Sequence, residues 1–441
     1  MEITTIILFL LILGIIVFFH ELGHFFMAKL YGVKVDEFGL GFPPRAFGVQ
    51  KIKSERTEKI SSEENINVEV FDTMENDGTE TVEEVITDKI REVDKVRSVE
   101  KWRWIFGKEK TDKELESKNE ENEGTIYSIN WIPLGGFVKI EGEDGEDKSN
   151  PKSFASRSIS ERFQILSAGV VMNFFLAFAI FSAIFLLGFP QDISGANPSV
   201  IKDAKDTKVQ ISEIKENSPA FVMGLMTGDA IEKAGDTNIE SIEDLQNYTK
   251  ENIGKTVVLK IKRGKENFSK EIIPREEYPE DEGPMGVTLV QTAVISYSPL
   301  AAVKQGYEYT VHLTMFIILA FAEIIWSLVT TGKTAAEVSG PIGIAVMTQQ
   351  AAAMGFVTVL NFMAIISVNL AIINVLPFPA LDGGRLLFLV VEKIKGSPMN
   401  QEWEAKVNNV GFALLMFLMV VVTFKDLAKF DIFGKVMGLF G

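Results

Sequence analysis

Long apolar runs separated by polar stretches divide the chain into membrane-length segments. Runs of this kind cover residues 3–31, 165–189, 308–330, 358–378 and 408–424. Each approaches or reaches the roughly 20 residues that a helix needs to cross a bilayer. The pattern therefore predicts a polytopic α-helical membrane protein. No Lys or Arg precedes the first run and no small-residue cleavage site follows it, so we expect a retained helix rather than a signal peptide.

The polar stretches between the runs show two patterns. Residues 33–50 and 124–160 combine aliphatic and aromatic residues with Pro and Gly, and Ile126–Ile140 is typical of two short strands joined by a turn. Residues 201–290 alternate strand-like and short helical segments, which predicts a soluble α/β module.

Residues 51–123 carry many charges and few large apolar residues. This composition predicts a flexible or weakly folded insertion. Alternatively, its aromatic segment Trp102–Phe106 rests on the membrane surface. The formal net charge of −16 lies largely in residues 55–147 and 202–283, where acidic residues outnumber basic ones. Such acidic surfaces repel nucleic acids, which argues against a nucleic-acid partner.

An H-E-x-x-H pattern, His20-Glu21-Leu22-Gly23-His24, lies inside the first apolar run. Residues four apart share one face of a helix, so both imidazoles can reach one metal ion, and Glu21 suits a general base. A chance match is the alternative. However, the chain has only three His, and two of them fall in this pattern. Because it has no Cys, any metal must be held by His and carboxylate.

A catalytic zinc site needs a third protein ligand and one open position. Asp382 fits best, because Pro377 and Pro379 before it prevent a continuous helix and let the chain turn toward a buried site. A turn or N-cap Asp is the alternative for Asp382. His312 and Glu323, in the run at 308–330, are the competing ligands.

Two Asn residues lie within apolar runs. The amide of Asn374 can hold an extended substrate backbone or an oxyanion, and a helix-to-helix hydrogen bond is its alternative role. For Asn173 we expect the helix-to-helix hydrogen bond.

The chain resembles the bacterial site-2 protease family, and in particular the regulator-of-sigma-E protease branch. Four ordered motifs carry the resemblance, and it covers most of the chain except residues 51–123. The motifs are His20–His24, Pro133–Lys139, Ser339–Ile344 and Asn374–Gly383.

The resemblance implies an intramembrane zinc endopeptidase that cuts transmembrane segments of single-span membrane proteins after another protease has removed their external part. Anti-sigma factors and remnant signal peptides are the implied substrates. The implied zinc ligands are His20, His24 and Asp382, with Glu21 as the catalytic base. The implied substrate-binding residues are Asn374 and a membrane-dipping β-hairpin with Gly135, Gly136, Phe137 and Val138 at its edge.

The resemblance also implies one PDZ domain in residues 201–290. Its motif runs from Ser218 through Gly224 to Asp229, with Met223 where the motif usually has a small Ala. The family's orientation implies an inner (cytoplasmic) membrane location with the PDZ domain on the extracytoplasmic side. His20 and Asp382 can then meet at one depth only if residues 309–329 are interfacial or re-entrant, which leaves about four transmembrane helices.

The expected organisation follows from these arguments. It comprises a first transmembrane helix at 1–32, a cytosol-side hairpin region at 33–50 and 124–160, the insertion at 51–123, a second helix at 163–189, the PDZ domain at 201–290, a linker with an apolar helix at 291–356, a third helix with the Leu-Asp-Gly motif at 357–395, and a fourth helix at 408–425. A catalytically inactive membrane PDZ adaptor and a zinc transporter or sensor are the alternative functions.

Overall fold

The computed structural model describes residues 3–60, 93–107, 120–121, 124–143, 148–194, 205–264, 266–279, 282–332 and 339–429. The helices are α1 (Ile3–Leu30), α2 (Ile159–Leu187), α3 (Pro219–Val222), α4 (Ile242–Glu251), α5 (Pro299–Thr331), α6 (Pro341–Met354), α7 (Phe356–Val375), α8 (Asp382–Lys395) and α9 (Gln401–Lys429). The strands are β1 (Val35–Ile60), β2 (Val93–Phe106), β3 (Glu120–Glu121), β4 (Ile126–Ile140), β5 (Phe189–Asp192), β6 (Lys205–Ile214), β7 (Ala230–Ala234), β8 (Thr237–Asn238), β9 (Val257–Arg263), β10 (Glu266–Ile272) and β11 (Val287–Ile295).

Five helices within the described residues are long and apolar enough to cross a membrane: α1, α2, α5, α7 and α9. The chain is therefore a multi-pass membrane protein, as the hydropathy pattern predicts. The predicted number of four crossings is not confirmed. Over the expected interfacial or re-entrant range, the structure has one unbroken helix of 33 residues.

Helix α2 lies at the centre of the helical bundle. It packs against α1, α5 and α7 around a shared core that includes Ile16, Phe181 and Ala364. A capping box between Ser158 and Glu161 starts α2 four residues before the predicted position. The bundle brings the middle of α1 and the end of α7 to the same place.

The relative direction of α1 and α2 follows from two contacts at different levels along these helices. On α1 and α2, His24 meets Ile165 and His20 meets Asn173, so these helices are antiparallel. Ser367 of α7 donates a hydrogen bond to the backbone carbonyl of Asn173. Asn374, about two turns further along α7, lies beside His20 of α1.

A sheet of β1 to β4 packs beside α1. Its order is β2-β1-β3, with β4 also paired to β1. Strand β1 folds over β4, so that Tyr127 pairs with both Phe38 and Val49. Strands are present in 33–50 and 124–140, but Ile126–Ile140, predicted to form two short strands joined by a turn, is one strand, β4.

The structure corrects the prediction of a flexible insertion at 51–123 for part of that range. Residues 51–60 and 93–106 form a long antiparallel ribbon, in which Phe47 to Ile60 of β1 pair continuously with β2. Composition misses this ribbon because backbone hydrogen bonds across a two-stranded pair do not need an apolar core. Residues 61–92 and 108–119 lie outside the described part of the chain.

A second sheet forms the soluble module, defined here as residues 205–295. Its strand order is β10-β9-β7-β6-β11-β5, with β8 paired to β7. The expected boundary at 290 is too early, because β11 extends to Ile295 to pair with β5, the strand that directly follows α2. This pairing joins the module to the end of α2.

Two polar contacts fix loops of the soluble module. Arg263 donates two hydrogen bonds to the buried Asp229 carboxylate, and these bonds raise the pKa of the Arg263 guanidinium above its usual value. At the start of α4, the Ser241 side chain lowers the pKa of Asp244 through a capping hydrogen bond. The motif residues Ser218 and Asp229 are both fully buried.

Helices α5 and α6 connect the soluble module to α7. Helix α5 starts beside the end of α2, where Tyr297 donates a backbone hydrogen bond to Phe185. The start of α6 is held by Asp426 near the end of α9, through a hydrogen bond from the Gly343 N–H. The end of α6 lies against loops of the module, next to Gly228 and Gly264.

Candidate active site

Helix α1 carries the H-E-x-x-H residues at the level where it packs most closely on α2. His20 and His24 are each only 6% exposed. The two helices can approach because both have glycine at the contact. A Cβ on Gly23 would lie 2.3 Å from the Ala168 carbonyl oxygen, and a Cβ on Gly169 would lie 2.3 Å from His24 Nε2. Glycine at both positions therefore leaves room for the imidazoles.

Asp382 is the first residue of α8, directly after the break that follows α7. Ala380 in the break has φ of 75°, a left-handed conformation that few non-glycine residues adopt. Gly383 and Gly384 allow the next turn, because a Cβ on either would lie within 2.5 Å of a backbone carbonyl oxygen of the break. The helix N-terminus favours the negative charge of Asp382.

Three side chains converge at this point. His20 Nε2 lies 3.0 Å from Asp382 Oδ2 and 3.2 Å from His24 Nε2. The third side of the triangle, from His24 Nε2 to Asp382 Oδ2, is 3.3 Å. Among the described residues, these three form the group of His and carboxylate side chains that could hold a metal ion. His312 and Glu323, the competing candidates, lie on α5 and are not part of it.

Hydrogen bonds orient the rings of both His residues. The His24 Nδ1 atom lies 2.9 Å from the Ile165 carbonyl oxygen, which only accepts, so Nδ1 carries the proton and Nε2 keeps its lone pair. His20 Nδ1 lies 3.3 Å from the Asn173 side-chain amide. The Asn173 Oδ1 atom has no hydrogen-bond partner among the described residues.

Asn173 is the site residue that the sequence argument missed. Its amide can present either the oxygen or the nitrogen to His20. If the oxygen faces the ring, it accepts a proton from Nδ1 and leaves the Nε2 lone pair of His20 directed into the triangle. The expected helix-to-helix hydrogen bond of Asn173 is present, between α2 and α1, but its partner is a His ring of the site, which the sequence did not indicate.

Glu21 lies beside the triangle but outside it. Its carboxylate accepts a hydrogen bond from the Val138 backbone N–H of β4. Gly136 of the same strand lies close to Phe18 and to the Glu21 side chain, and a Cβ on Gly135, where φ is 79°, would lie 2.7 Å from Val17. The predicted hairpin edge is therefore in contact with the α1 segment that carries Glu21.

Asn374 lies near the end of α7 and beside His20. Its side-chain nitrogen is 3.4 Å from His20 Nε2. The structure thus brings Asn374, Glu21 and the β4 edge around one cluster of two imidazoles and a carboxylate.

The profile of one protein family matches most of the chain. It is described as peptidase family M50, and it matches residues 8–59 and 112–418. The chain belongs to this family. Family M50 is the site-2 protease family that the motifs predict, so the chain is a zinc metalloendopeptidase of the site-2 type.

Named relatives of the M50 chain cover nearly its full length. The Regulator of sigma-W protease RasP of Bacillus subtilis is 31% identical over 452 residues, which is 97% of this chain and 99% of the relative. The Zinc metalloprotease RasP of Bacillus licheniformis is 30% identical over 96% of this chain and 99% of its own, and that of Oceanobacillus iheyensis is 31% identical over 97% and 99%.

One solved structure is similar to part of this M50 chain. It is the PDZ domain of the SdrC-like protein from Listeria monocytogenes, which is 24% identical and aligns over 19% of this chain and 86% of its own, with a TM-score of 0.17.

The donor set of the M50 chain fits zinc, the metal in the names of its relatives. Donor atoms around a tetrahedral zinc ion lie about 2.1 Å from the metal and therefore about 3.4 Å from one another. The three atoms of the triangle are 3.0 to 3.3 Å apart. Two imidazole nitrogens and a carboxylate oxygen are also ligands that zinc accepts, with a fourth position left for water.

Proposed function

We propose that this chain cuts the transmembrane segments of single-span membrane proteins. The observation that carries the proposal is the triangle of His20, His24 and Asp382 with Glu21 beside it, on helices that are apolar enough to cross a membrane. Ionisable groups at such a depth are costly and point to function. A zinc protease with its site on these helices would act on peptide bonds that lie within the bilayer.

We assign zinc binding to His20, His24 and Asp382 and proton transfer to Glu21. Bound zinc supplies a Lewis acid that activates water and polarises a carbonyl. Glu21 is outside the ligand triangle, so its carboxylate is free to take the proton of the attacking water and pass it to the leaving amine. The Val138 N–H holds that carboxylate beside the site.

Substrate binding is assigned to Asn374, Gly135, Gly136, Phe137 and Val138. A substrate helix hides its carbonyls in its own hydrogen bonds, so it must unwind before it is cut. Pairing with a strand edge replaces the bonds that unwinding removes. The contact of β4 with Glu21 supports this role, because a strand added there passes the general base. The Asn374 amide can hold the unwound backbone from the opposite side.

Anti-sigma factors and remnant signal peptides, already shortened by another protease, are the proposed substrates. The name of the Bacillus subtilis relative, a regulator of sigma-W protease, supports the first class. We propose that the protein resides in the cytoplasmic membrane with the soluble module, as a PDZ domain, on the extracytoplasmic side. The link between β5 and β11 keeps the module next to the end of α2, where it can exclude substrates with bulky external domains.

The test is a cleavage assay on single-span proteins co-expressed with the chain, each supplied with and without its external domain. Glu21→Gln should lower the cleavage rate by about 100- to 10,000-fold, the usual contribution of a general base, and should leave zinc content unchanged. Glu308→Gln changes a carboxylate of α5 whose side chain is 42% exposed and paired with Lys304. This variant is the matched control and should cut at the normal rate. Asp382→Ala should lose zinc.

Equal cleavage by wild type and Glu21→Gln would contradict the protease assignment and favour an adaptor. Unchanged zinc content in Asp382→Ala would contradict the assignment of the third ligand. Equal cleavage of substrates with and without external domains would contradict the need for an earlier cut.

A further inference from the structure

One face of the sheet formed by β1, β2 and β4 carries a group of exposed large apolar side chains. We call this group the aromatic face. Trp102 and Trp104 are 62% and 63% exposed, and Phe106 and Trp131 are each 72% exposed. The members are Trp102, Trp104, Phe106, Phe47, Ile129 and Trp131.

The strand register shows that these side chains point the same way. Residues directly opposite each other on neighbouring strands project from the same face of a sheet. Phe47 is opposite Phe106 on one side and opposite Ile129 on the other. Residues two apart along a strand share a face, which adds Trp104, Trp102 and Trp131.

The opposite face of the same strands is largely buried and carries several hydrogen-bonded polar side chains. Arg103 donates a hydrogen bond to Gln50, and Gln50 donates to the Gly124 carbonyl. Gln50 and Asn130 are 5% and 6% exposed. The sheet thus buries this face, which also contains Ile52 and Ile126 at 4% and 2% exposed, and leaves the aromatic side chains exposed.

The aromatic face is continuous with the surface that packs on α1. Phe38 is opposite Tyr127, which is opposite Val49, which is opposite Trp104, so all four side chains project toward the side of α1. The Phe25 ring of α1 lies 4.8 Å from the ring of Phe38 and 6.0 Å from that of Tyr127.

We propose that the aromatic face lies in the headgroup region of the bilayer and anchors the sheet to one leaflet. The sheet surface that carries the aromatic face packs on α1, which is apolar enough to span the membrane. The residues of the face on β2 are farther from α1 and therefore extend sideways into the lipid around that helix. Trp and Tyr are enriched at this depth, where an apolar ring meets polar headgroups. None of its six members is charged, and Lys51, opposite Trp102 at the rim, can reach lipid phosphates.

This surface goes beyond the proposed protease function. Residues 60–111, which include β2 and its two Trp residues, lie between the two segments that match the M50 profile. Strand β4 carries both Trp131 of the aromatic face and Val138 of the substrate edge. The anchor therefore fixes the depth at which the edge meets a substrate.

The test uses nitroxide labels on single Cys residues, for which the natural chain, with no Cys, is a clean background. Trp104→Cys and Trp131→Cys place the label on the aromatic face. Lys101→Cys is the matched control, because Lys101 is exposed on β2 but alternates to the other face. The labelled full-length proteins are reconstituted in vesicles of phosphatidylethanolamine and phosphatidylglycerol.

Electron paramagnetic resonance then compares the collision of each label with oxygen, which concentrates in lipid, and with a nickel chelate, which stays in water. We expect an oxygen-to-nickel ratio several-fold higher at positions 104 and 131 than at position 101. Equal, nickel-dominated values at the three positions would show a water-exposed face and overturn the proposal. Low collision with both reagents at 104 and 131 would show a protein partner or a second copy on the face and would also overturn it.

Discussion

Asn173 contacts His20 Nδ1, the ring nitrogen of His20 that lies outside the triangle of proposed metal-binding atoms. Its amide is the partner of His20 Nδ1, and the tautomer of His20 decides whether Nε2 can bind a metal. The residue is fully buried in α2, so water cannot replace the amide.

Asn173→Ala should weaken zinc binding by about 10- to 100-fold, the usual cost of losing a partner that orients a metal-bound His. Asn173→Asp should restore most of the affinity, because a carboxylate oxygen also accepts the Nδ1 proton. Zinc competition with a calibrated chelator measures both. If the Asp variant is as weak as the Ala variant, Asn173 acts through packing and not as an acceptor.

Gly169 leaves space for both His rings. An alanine Cβ there would lie 2.3 Å from His24 Nε2 and 2.7 Å from His20 Cε1. Gly169→Ala should therefore displace the rings and lower zinc content by at least about tenfold. Gly14→Ala, on α1 where nothing lies within 4 Å of the added Cβ, is the control. Full zinc loading of Gly169→Ala would show that α1 and α2 can separate without cost to the site.

The sequence predicts the chemical residues of the site better than the residues that orient them. His20, Glu21 and His24 are recognisable because their spacing follows the helix, and Asp382 because prolines break the helix before it. Asn173 gives no such signal, since its role depends on which residue of α1 faces it across a helix contact. That pairing is a property of the packed bundle.

Strand β4 connects the sheet to Glu21, the proposed general base. Val138→Pro removes the N–H that donates to Glu21 and should abolish cleavage. Zinc content should stay normal, because the contacts that orient His20 and His24 come from Asn173 and Ile165 of α2. Val138→Ile keeps the N–H and should cleave normally. Zinc analysis and the cleavage assay together check the result, and active Val138→Pro would separate β4 from the chemistry.

The sequence predicts strands and helices correctly where apolar residues recur with the period of the element and form its buried face. The helices α1, α2, α7 and α9 and the strands around Val209–Ile214 follow from the sequence. The ribbon of β1 and β2 does not follow from the sequence, because the composition of its charged segments is typical of disorder. Its order comes from the backbone pairing of Phe47–Ile60 with Val93–Phe106.

At the scale of the whole molecule, α5 decides the topology. It has 33 residues and is about 50 Å long, and it starts beside the end of α2. Ser339, at the start of α6, lies beside Gly343 and near Asp426 at the end of α9, whereas the other end of α6 contacts the module. The chain from 331 to 339 reaches at most about 28 Å. Helix α6, at about 21 Å, is too short to return across a core of about 30 Å.

The end of α5 should therefore lie on the same side of the membrane as the soluble module. Thr330→Cys and Ser212→Cys, the latter on β6 of the module, should react with an impermeant maleimide from the same side of sealed vesicles. Ser160→Cys, at the start of α2, should react from the other side. Labelling of Thr330→Cys together with Ser160→Cys would show that α5 crosses completely.

The distance in sequence between the metal-binding side chains sets a delay during biosynthesis. His20 and Asp382 are 362 residues apart in sequence, yet His20 Nε2 and Asp382 Oδ2 lie 3.0 Å apart. At the usual 5 to 20 residues per second of translation, roughly 20 to 70 s separate the emergence of the two. Throughout that interval the nascent polypeptide has Glu21, the proposed general base, and the two imidazoles but lacks the proposed third ligand. The proposed metal site can therefore be completed only after residue 382 has left the ribosome, so the enzyme cannot attack its neighbours in the membrane while α1 to α7 are being inserted.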